Sequence, residues 1–255
     1  MSNYEIFRQL HYQDKPVIIG NAWNAYSAQL LEKKGFKAIA TSSGAVAVTL
    51  GSDDGEKISF EDLLTVVSKM TAVVKVPLSV DLETGYGATA EKIVDNLEKL
   101  SAIGVVGINI EDSLRVNGRE LVPVDVFSKK LSDIKSGLLK KNINIFINAR
   151  TDAYLLNLPE PLAITMERIK AYQDAGADGI FVPFVKDEEP IRKIVSATSL
   201  PINVVSMPGL PSFENLTAWG IRRISLGSSL FRALYKKADS LIEGILADQS
   251  VAGLF

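Results

Sequence analysis

The hydrophobic pattern of the chain repeats one unit: an amphipathic helix, a glycine with small residues, a short apolar run and then polar residues. The unit reads AQLLEKKG–FKAIATSSG, EKLSAIG–VVGINIEDS, AYQDAGA–DGIFVPFV and LTAWG–IRRISLGSS. The glycines Gly35, Gly104, Gly176 and Gly220 fit the position after a helix, where left-handed backbone is needed. The runs that follow are almost continuously apolar, which is typical of strands covered on both faces.

Eight strands follow from this pattern, with helical patterns between them. They are predicted near Pro16–Gly20, Ala38–Thr41, Leu78–Leu82, Gly107–Ile110, Asn144–Asn148, Gly179–Pro183, Ile202–Val205 and Arg222–Leu226. Eight strand–helix pairs in 255 residues predict an α/β fold of the (β/α)8 TIM barrel type. A doubly wound open sheet is the alternative, although it usually has fewer strands at this length. No linker or composition break divides residues 1–255, so one domain is predicted.

The last helical pattern, residues 228–248, carries an apolar face made of Leu230, Phe231, Leu234, Leu241, Ile242 and Ile245. Two interpretations stay open. This segment is the eighth helix of the barrel, or it leaves the barrel and packs on a neighbouring subunit.

Composition narrows the functional classes. The net charge of −2 and pI of about 5.6 exclude a basic field for nucleic acid. The absence of cysteine excludes disulfides, zinc–thiolate sites and a cysteine nucleophile. The opening segment is polar and no apolar run is long enough to span a bilayer, so a cytoplasmic protein without a membrane partner is expected. The single histidine, His11, precedes the first strand and is predicted to have a packing or surface role.

Charged residues follow the predicted strands, where a barrel has its active-site mouth. They are Asp54 in GSDDG, Asp81 and Glu83 in VDLETGYG, Glu111 and Asp112 in INIEDS, and Arg150 and Asp152 in INARTDAY. Carboxylates gathered at one edge repel each other unless a cation holds them. Oxygen ligands without cysteine or histidine favour Mg²⁺ or Mn²⁺ over zinc. Solvated acids at strand ends are the alternative.

Other polar residues at strand ends suit an anionic ligand. The planar guanidinium of Arg150 fits a carboxylate or phosphonate, or a salt bridge within the acidic ring. Ser42, Ser43 and Gly44 form either an oxyanion-binding turn or an ordinary turn. Asn203 offers an amide, and the turn at residues 227–229 resembles a phosphate-binding turn.

Taken together, VDLETGYG, INIEDS, INARTDA and IRRISLGSSLFRA resemble the isocitrate lyase/phosphoenolpyruvate mutase superfamily. The resemblance runs from NAWNAYSAQLLEKKGFKAIATSSG to Phe231. It implies a (β/α)8 barrel, often a tetramer that swaps its last helix, with Mg²⁺ and a 2-oxo acid or its enolate as substrate.

The resemblance also implies roles for individual residues. Asp81, Glu83 and Glu111 match the metal-site acids, and Asp54 matches the acid after the second strand. Arg150 matches the arginine that binds the substrate carboxylate. The turn residues Ser42, Ser43 and Gly44 match the backbone amides that hold the enolate oxygen, whereas Trp23 and Asn203 match residues that line the substrate pocket.

Two departures from the family pattern narrow the function. The isocitrate and methylisocitrate lyases carry a Lys-x-Cys-Gly-His loop after the fourth strand, where this chain reads SLRVNGRELVPVDVFSKKL. Arg115, Asn117 and Arg119 also replace the Lys-Asn-Ser type of loop found in the mutases. Glu83 replaces the commoner aspartate. The two lyase activities are therefore not expected, and the chain is most similar to a branch of the superfamily without an assigned substrate.

The sequence thus predicts a Mg²⁺-dependent lyase, a homodimer or homotetramer, that cleaves a C–C bond beside the carbonyl of a small 2-oxo acid through an enolate. Decarboxylation of an oxaloacetate-like acid needs the least machinery. Tyr86, a metal-bound water or a residue of Leu114–Leu121 is the candidate for proton transfer. P–C chemistry on phosphonopyruvate is the second hypothesis, and a non-catalytic sensor of 2-oxo acids is the third.

Overall fold

A closed barrel of eight parallel strands forms the centre of the computed structural model, which describes residues 1–115 and 118–255. The barrel strands are β1 Val17–Ala22, β2 Ile39–Thr41, β3 Leu78–Asp81, β4 Val105–Glu111, β7 Phe146–Arg150, β8 Gly179–Phe181, β9 Ile202–Val205 and β10 Arg223–Ser225. Strand β10 pairs with β1, which closes the sheet. The predicted TIM barrel is confirmed, and the open-sheet alternative is wrong.

Helices alternate with these strands. They are α1 Asn3–Leu10, α2 Ala25–Lys33, α3 Ser43–Thr49, α4 Phe60–Thr71, α5 Ala90–Ala102, α6 Val124–Lys140, α7 Pro161–Asp174, α8 Glu188–Ser196, α9 Phe213–Ala218 and α10 Ser229–Asp248. A short 3₁₀ helix, Ala252–Leu254, follows. The buried residues between helices and strands are mainly aliphatic, as expected for a parallel sheet covered on its outer face.

Two features differ from the pattern-based prediction. Strand β7 is shifted two residues along the chain from its predicted position, because its pairing with β4 runs from Phe146 opposite Gly107 to Arg150 opposite Glu111. A small antiparallel hairpin, β5 Ser113–Arg115 and β6 Arg119–Leu121, lies between β4 and α6. Its strands have three residues each, too few for a hydrophobic period to predict them.

His11 packs at the amino-terminal end of the barrel, opposite the mouth. Its ring stacks on Phe146 at 4.5 Å and meets Phe7 edge-on at 4.7 Å. Its Nδ1 lies 2.7 Å from the carbonyl oxygen of Phe7, which only accepts, so Nδ1 carries the proton. Burial, reinforced by the charge of Arg223, lowers the pKa of His11 to about 3. The predicted packing role is confirmed.

This burial predicts an acid-sensitive contribution to stability. The unfolded chain takes up the His11 proton near its usual pKa of 6.5, whereas the native state does so only near 3. Between these values the native state loses up to about 1.4 kcal/mol of stability per pH unit as the pH falls. His11→Phe keeps the ring stack and should lack this slope.

Urea unfolding at a series of pH values measures the effect. The curves of His11→Phe and the wild type should run parallel above pH 7 and diverge below about 6.5. Curves that stay parallel down to pH 4 would contradict the assignment.

Helix α10 exposes an apolar face. Phe231 is buried, whereas the side chains farther along the helix are open: Leu234 is 52% exposed, Ile242 58% and Leu246 67%. A packed eighth barrel helix would bury such a face, so the exposure favours the interpretation that α10 contacts another subunit. That contact stays a prediction. Among the residues that the structure describes, no helix combines the length and apolar character needed to cross a membrane.

Charged substitutions on this face test the prediction. The double change Ile242→Glu and Leu246→Glu would place two carboxylates in an apolar interface, where desolvation opposes association. We expect a shift from dimer or tetramer to a smaller species in sedimentation velocity. Lys236→Glu adds acidic charge on the exposed opposite side of the helix and should leave the oligomer unchanged. If the wild type sediments as a monomer, the predicted contact of α10 with another subunit is wrong.

Candidate active site

A cavity of about 280 Å³ opens at the carboxyl ends of the barrel strands. Its polar lining is Asn21, Ser42, Ser43, Asp54, Asp81, Asn109, Arg115, Arg119, Arg150, Ser206, Ser225, Ser228 and Arg232. Gly44, Phe181, Pro183 and Phe184 are among its other lining residues. The cavity thus brings carboxylates and guanidinium groups together in a space suited to a small acid.

The predicted site residues fall into two groups. Six line the cavity: Ser42, Ser43, Gly44, Asp54, Asp81 and Arg150. Five lie outside its lining: Trp23, Glu83, Tyr86, Glu111 and Asn203. Five of these six share a simple cause, since each is at the end of a strand or within three residues of it. Asp54 is the exception: it follows helix α3 and not a strand, so its predicted strand-end position is wrong although it reaches the cavity.

Asp81 ends β3 and is held by the neighbouring strand and turn. Its backbone N–H donates to Oγ1 of Thr41 at 2.8 Å, and the Ser43 hydroxyl donates to its Oδ2 at 2.8 Å. Burial raises the pKa of Asp81, and the charge of Arg150 opposes that shift. Asp81 is therefore fixed in place, in surroundings that favour a cationic neighbour.

Asp54 reaches the same cavity from the segment after α3. Arg115 of the hairpin donates Nη2 to Asp54 Oδ2 at 2.5 Å and Nη1 to its carbonyl oxygen at 3.0 Å. The other carboxylate oxygen, Oδ1, is buried and has no hydrogen-bond partner among the described residues. Such an atom is costly unless a ligand or water satisfies it, so Asp54 is the clearest candidate for a direct contact with a cation.

Glu83 is turned away from the cavity. Its backbone is left-handed, with φ of 51°, and its side chain accepts from the N–H of Glu56 at 2.9 Å and from the Tyr86 hydroxyl at 3.2 Å. Burial, with the negative charges of Asp54 and Asp81, raises the pKa of Glu83 to about 8. Both carboxylate oxygens of Glu83 are thus engaged by protein donors.

Tyr86 supports Glu83 rather than the cavity. Burial, then the charges of Glu83 and Glu56, raise the pKa of Tyr86 well above its usual value. Its hydroxyl therefore stays protonated and donates to Glu83. The geometry gives Tyr86 a bracing contact and no direct access to a bound ligand.

Two carboxylates and two guanidinium groups form a closed ring at the mouth, hereafter the charge ring: Glu111, Arg150, Asp152 and Arg119. Glu111 contacts Arg119 at 2.6 Å and Arg150 at 2.9 Å. Asp152 contacts Arg150 at 2.6 Å and Arg119 at 3.3 Å. Both acids are buried. The predicted salt bridge of Arg150 within the acidic ring is therefore present, and it coexists with a position on the cavity wall.

The charges of the ring residues shift one another's pKa values. Burial raises the pKa of Glu111 to about 7, although Arg150 and Arg119 oppose the shift. Burial alone would lower the pKa of Arg150, but the charges of Glu111, Asp152 and Asp81 outweigh it and raise that pKa. Arg150 is therefore a permanent cation beside the cavity.

Asp112 points to the opposite side of β4 from Glu111, as strand alternation predicts. Its carboxylate accepts from Tyr172 at 2.6 Å, from Arg168 at 2.9 Å and from the N–H of Asp152 at 3.0 Å. These contacts fasten the end of β4 to helix α7 and to the β7 turn. Asp112 thus supports the ring without reaching the cavity.

One acid of the charge ring and two arginines of the cavity lining were missed as site residues from the sequence. Asp152 follows Arg150 at the spacing that had selected Asp81 and Glu83, so its role in the ring could have been found. Arg115 and Arg119 are cross-strand partners in the hairpin, a pairing with no hydrophobic signal. Of the remaining candidates in residues 114–121, Asn117 lies outside the described residues.

The acids fit a divalent cation only in part. Within the described part of the chain, no three histidine, cysteine or acidic side chains are placed to hold a metal together. Glu83 and Glu111 have both oxygens bound by protein donors. Asp54 and Asp81 line the cavity, and Mg²⁺ commonly uses one or two carboxylates with water as its remaining ligands. Asp54 and Asp81 are therefore the residues that would hold the ion.

Arg119 places a positive charge on the wall of the same cavity and so opposes the binding of a metal ion, which gives a test. Arg119→Gln removes a cation beside Glu111 and Asp152, so Mn²⁺, used as a probe of the Mg²⁺ site, should bind roughly 3- to 10-fold more tightly. Titration calorimetry or electron paramagnetic resonance measures the affinity. Lys129→Gln removes an exposed cation that pairs with Asp133 and should have no effect. Unchanged or weaker binding by Arg119→Gln would refute this charge balance.

These features define a (β/α)8-barrel protein with its candidate site at the carboxyl ends of the strands, the usual place for an active site in this fold. The family model described as phosphoenolpyruvate phosphomutase matches residues 7–246. The chain belongs to this family and so to the isocitrate lyase/phosphoenolpyruvate mutase superfamily, as its motifs predicted.

Relatives of several activities match most of the chain. The 2-methylisocitrate lyase of Salmonella typhimurium is 28% identical over 246 residues, covering 93% of this chain and 82% of that protein. The oxaloacetate decarboxylase of Rhodopseudomonas palustris is 29% identical over 244 residues, covering 92% and 83%. The structure of a phosphoenolpyruvate phosphomutase from Streptomyces platensis superposes with a TM-score of 0.87 at 24% identity, over 98% of this chain and 90% of that one, which supports the fold alone. The two curated relatives named here are thus a lyase and a decarboxylase.

Proposed function

We propose that this protein is a Mg²⁺-dependent lyase that cleaves a carbon–carbon bond beside the carbonyl of a small 2-oxo acid, with Mn²⁺ as an alternative ion. One observation carries the proposal. A single small cavity joins the carboxylates of Asp54 and Asp81 to the guanidinium of Arg150. The first pair suits a cation and the arginine suits a carboxylate, so the cavity complements a metal–keto-acid pair.

Arg150 is prepared for such a substrate. Asp152 holds its Nε and Glu111 holds its Nη1, while the ring of Phe181 lies 5.6 Å from the guanidinium carbon. These contacts fix the plane of the group, and Nη2 forms no hydrogen bond with any described residue. A substrate carboxylate therefore meets a positioned donor, which reduces the entropy lost on binding.

The reaction requires stabilisation of a developing enolate. A Mg²⁺ ion at Asp54 and Asp81 would supply Lewis-acid polarisation of the substrate oxygens. The turn Ser42–Gly44 lines the same cavity. The Ser42 N–H already donates to the Ala22 carbonyl oxygen at 3.0 Å, so the N–H groups of Ser43 and Gly44, at the start of α3, are the protein's own candidate donors to an enolate oxygen. The Ser43 hydroxyl is already used by Asp81, so it holds that carboxylate instead of the substrate.

Decarboxylation of oxaloacetate or a similar 2-oxo diacid fits best. The carbon–carbon bond to the departing carboxylate breaks and carbon dioxide leaves. The electron pair of that bond stays on the substrate and forms the enolate of pyruvate, which then takes a proton from water to give pyruvate. No protein base is needed. The chain has no cysteine, its single histidine lies at the other end of the barrel, and Tyr86 is held by Glu83. Isocitrate and methylisocitrate cleavage are therefore not expected, whereas the decarboxylase among the relatives supports this choice.

Phosphorus–carbon chemistry is the second candidate. Four arginines, Arg115, Arg119, Arg150 and Arg232, line the cavity, and such a number suits a phosphonate dianion. The third hypothesis, a sensor that binds without turnover, draws on the lack of a free proton carrier among the lining residues described above. The proposal also includes a homodimer or homotetramer, a cytoplasmic location, and no nucleic-acid or membrane partner.

A metal-supplemented screen read by NMR tests the function. The panel contains oxaloacetate, phosphonopyruvate, isocitrate, methylisocitrate and malate-type acids. We expect pyruvate from oxaloacetate, faster than in a blank with metal alone, because divalent ions decarboxylate oxaloacetate slowly by themselves. Phosphonopyruvate consumption would favour the second candidate. Tight binding without product across the panel would favour the sensor.

The variant Asp81→Asn tests whether the activity takes place in this cavity. It keeps the size of the side chain and an acceptor for Ser43 but removes the charge, so turnover should fall by about 100-fold or more. Asp53→Asn removes the same charge from an exposed neighbour of Asp54 and should retain activity. Equal activity of Asp81→Asn and Asp53→Asn would overturn the proposed site.

A further inference from the structure

A buried arginine lies inside the barrel beneath the cavity. Arg223 begins β10 and is 1% exposed, and its guanidinium carbon lies 5.8 Å from the ring centre of Phe7. No carboxylate forms an ion pair with it among the described residues, and its Nη1 has no hydrogen-bond partner there. Burial lowers the pKa of Arg223 to about 10, which leaves it cationic at neutral pH. A buried charge without an ion-pair partner lowers the stability of the folded protein, so the presence of Arg223 at this position needs an explanation.

The guanidinium fixes the orientation of Asn109. Arg223 Nη2 lies 3.3 Å from Asn109 Oδ1, and the amide nitrogen of Asn148 donates to the same oxygen at 2.9 Å. A guanidinium only donates, so the atom of Asn109 that faces it must be the oxygen. Two donors on one carbonyl oxygen therefore turn the amide nitrogen of Asn109 to the other side.

That other side is the cavity. Asn109 lines it, and its amide nitrogen forms no hydrogen bond with any described residue. Asn109 pairs in register with Asp81 on β3 and with Asn148 on β7. It also lies two residues before Glu111, on the same face of β4. The free N–H groups thus belong to the cavity floor, between the strands that carry Asp81 and Arg150.

We infer that Asn109 is a binding residue whose amide N–H donates to an anionic oxygen of the substrate, and that Arg223 is the positioning residue that holds this amide. The inference rests on the proposed 2-oxo acid chemistry and deepens it. The amide of Asn109 is an uncharged donor on the cavity floor, so it can bind an oxygen without changing the net charge of the walls. A substrate must therefore present an oxygen, and not an alkyl group, to the floor.

A double-mutant cycle with a defined probe tests this inference. The probe is oxalate with Mg²⁺, measured by titration calorimetry. Asn109→Leu keeps the approximate shape but removes the donor, so oxalate affinity should fall by about 10- to 100-fold, the cost of one hydrogen bond to a charged group. Ser79→Ala removes a buried hydroxyl that lies outside the cavity lining and should leave affinity unchanged.

Arg223→Met separates positioning from a direct electrostatic effect. If Arg223 acts through Asn109, Arg223→Met weakens oxalate binding in the wild-type background and has no further effect beside Asn109→Leu. Equal losses in both backgrounds would show that the arginine acts by charge alone and would overturn the positioning role. Asn148→Leu removes the second donor to the same oxygen and serves the same cycle if Arg223→Met does not fold.

The outcomes distinguish this inference from the proposed function. Oxalate binding that is tight in the wild type and equally tight in Asn109→Leu overturns the inference and leaves the function standing. A wild type that binds neither oxalate nor any acid of the panel overturns the function and the anion contact together. Even then, urea unfolding of the wild type, Asn109→Leu, Arg223→Met and the double variant decides whether the two side chains interact, because a contact between Arg223 and Asn109 requires favourable coupling in unfolding free energy.

Discussion

The mouth of this barrel depends on the charge ring of Glu111, Arg150, Asp152 and Arg119. Each buried carboxylate meets both guanidinium groups, so the ring is neutral when Glu111 is ionised, although it is withdrawn from water. Breaking such a ring on one side leaves an uncompensated buried charge, a loss of about 3–5 kcal/mol in comparable pairs. The ring joins β4, β7 and the hairpin strand β6, and it thereby holds the hairpin over the cavity. The position of Arg115 against Asp54 follows from that placement.

The charge ring also makes the two walls of the cavity differ in charge. Its two arginines cancel Glu111 and Asp152, which leaves Asp54 and Asp81 on one wall with Arg115 as the only cation paired with either among the described residues. Arg150 faces the cavity from another wall as part of the neutral ring. A metal ion would balance the carboxylates of Asp54 and Asp81, and an anion would accept hydrogen bonds from Arg150. Either ion alone would meet only one of these two walls. This polarity is the physical reason to favour a metal–keto-acid pair over a simple anion.

The periodic pattern predicted the barrel because helix spacing and buried strands are properties of local sequence. It also placed Asp81 and Arg150 at the cavity, since the end of a parallel strand has one location in this fold. Trp23 and Asn203 required knowledge of packing: Trp23 contacts Phe231 of α10 at 5.2 Å, and Asn203 lies in the barrel interior, where its oxygen accepts from Ser225. The positive φ of Glu83 and the hairpin arginines leave no periodic signal at all.

Arg223 extends this argument below the cavity. The interior of a barrel usually holds aliphatic layers, yet here Asn109, Asn148, Asn203 and Ser225 connect to a guanidinium without a carboxylate partner among the described residues. Such a layer has an electrostatic cost in the free protein, because the charge is desolvated and one of its donors is unpaired. In return, the guanidinium holds the amide of Asn109 with its N–H groups toward the cavity, where they can donate to an anion bound on the floor. The same polar layer that weakens the empty barrel therefore strengthens its hold on a negatively charged ligand.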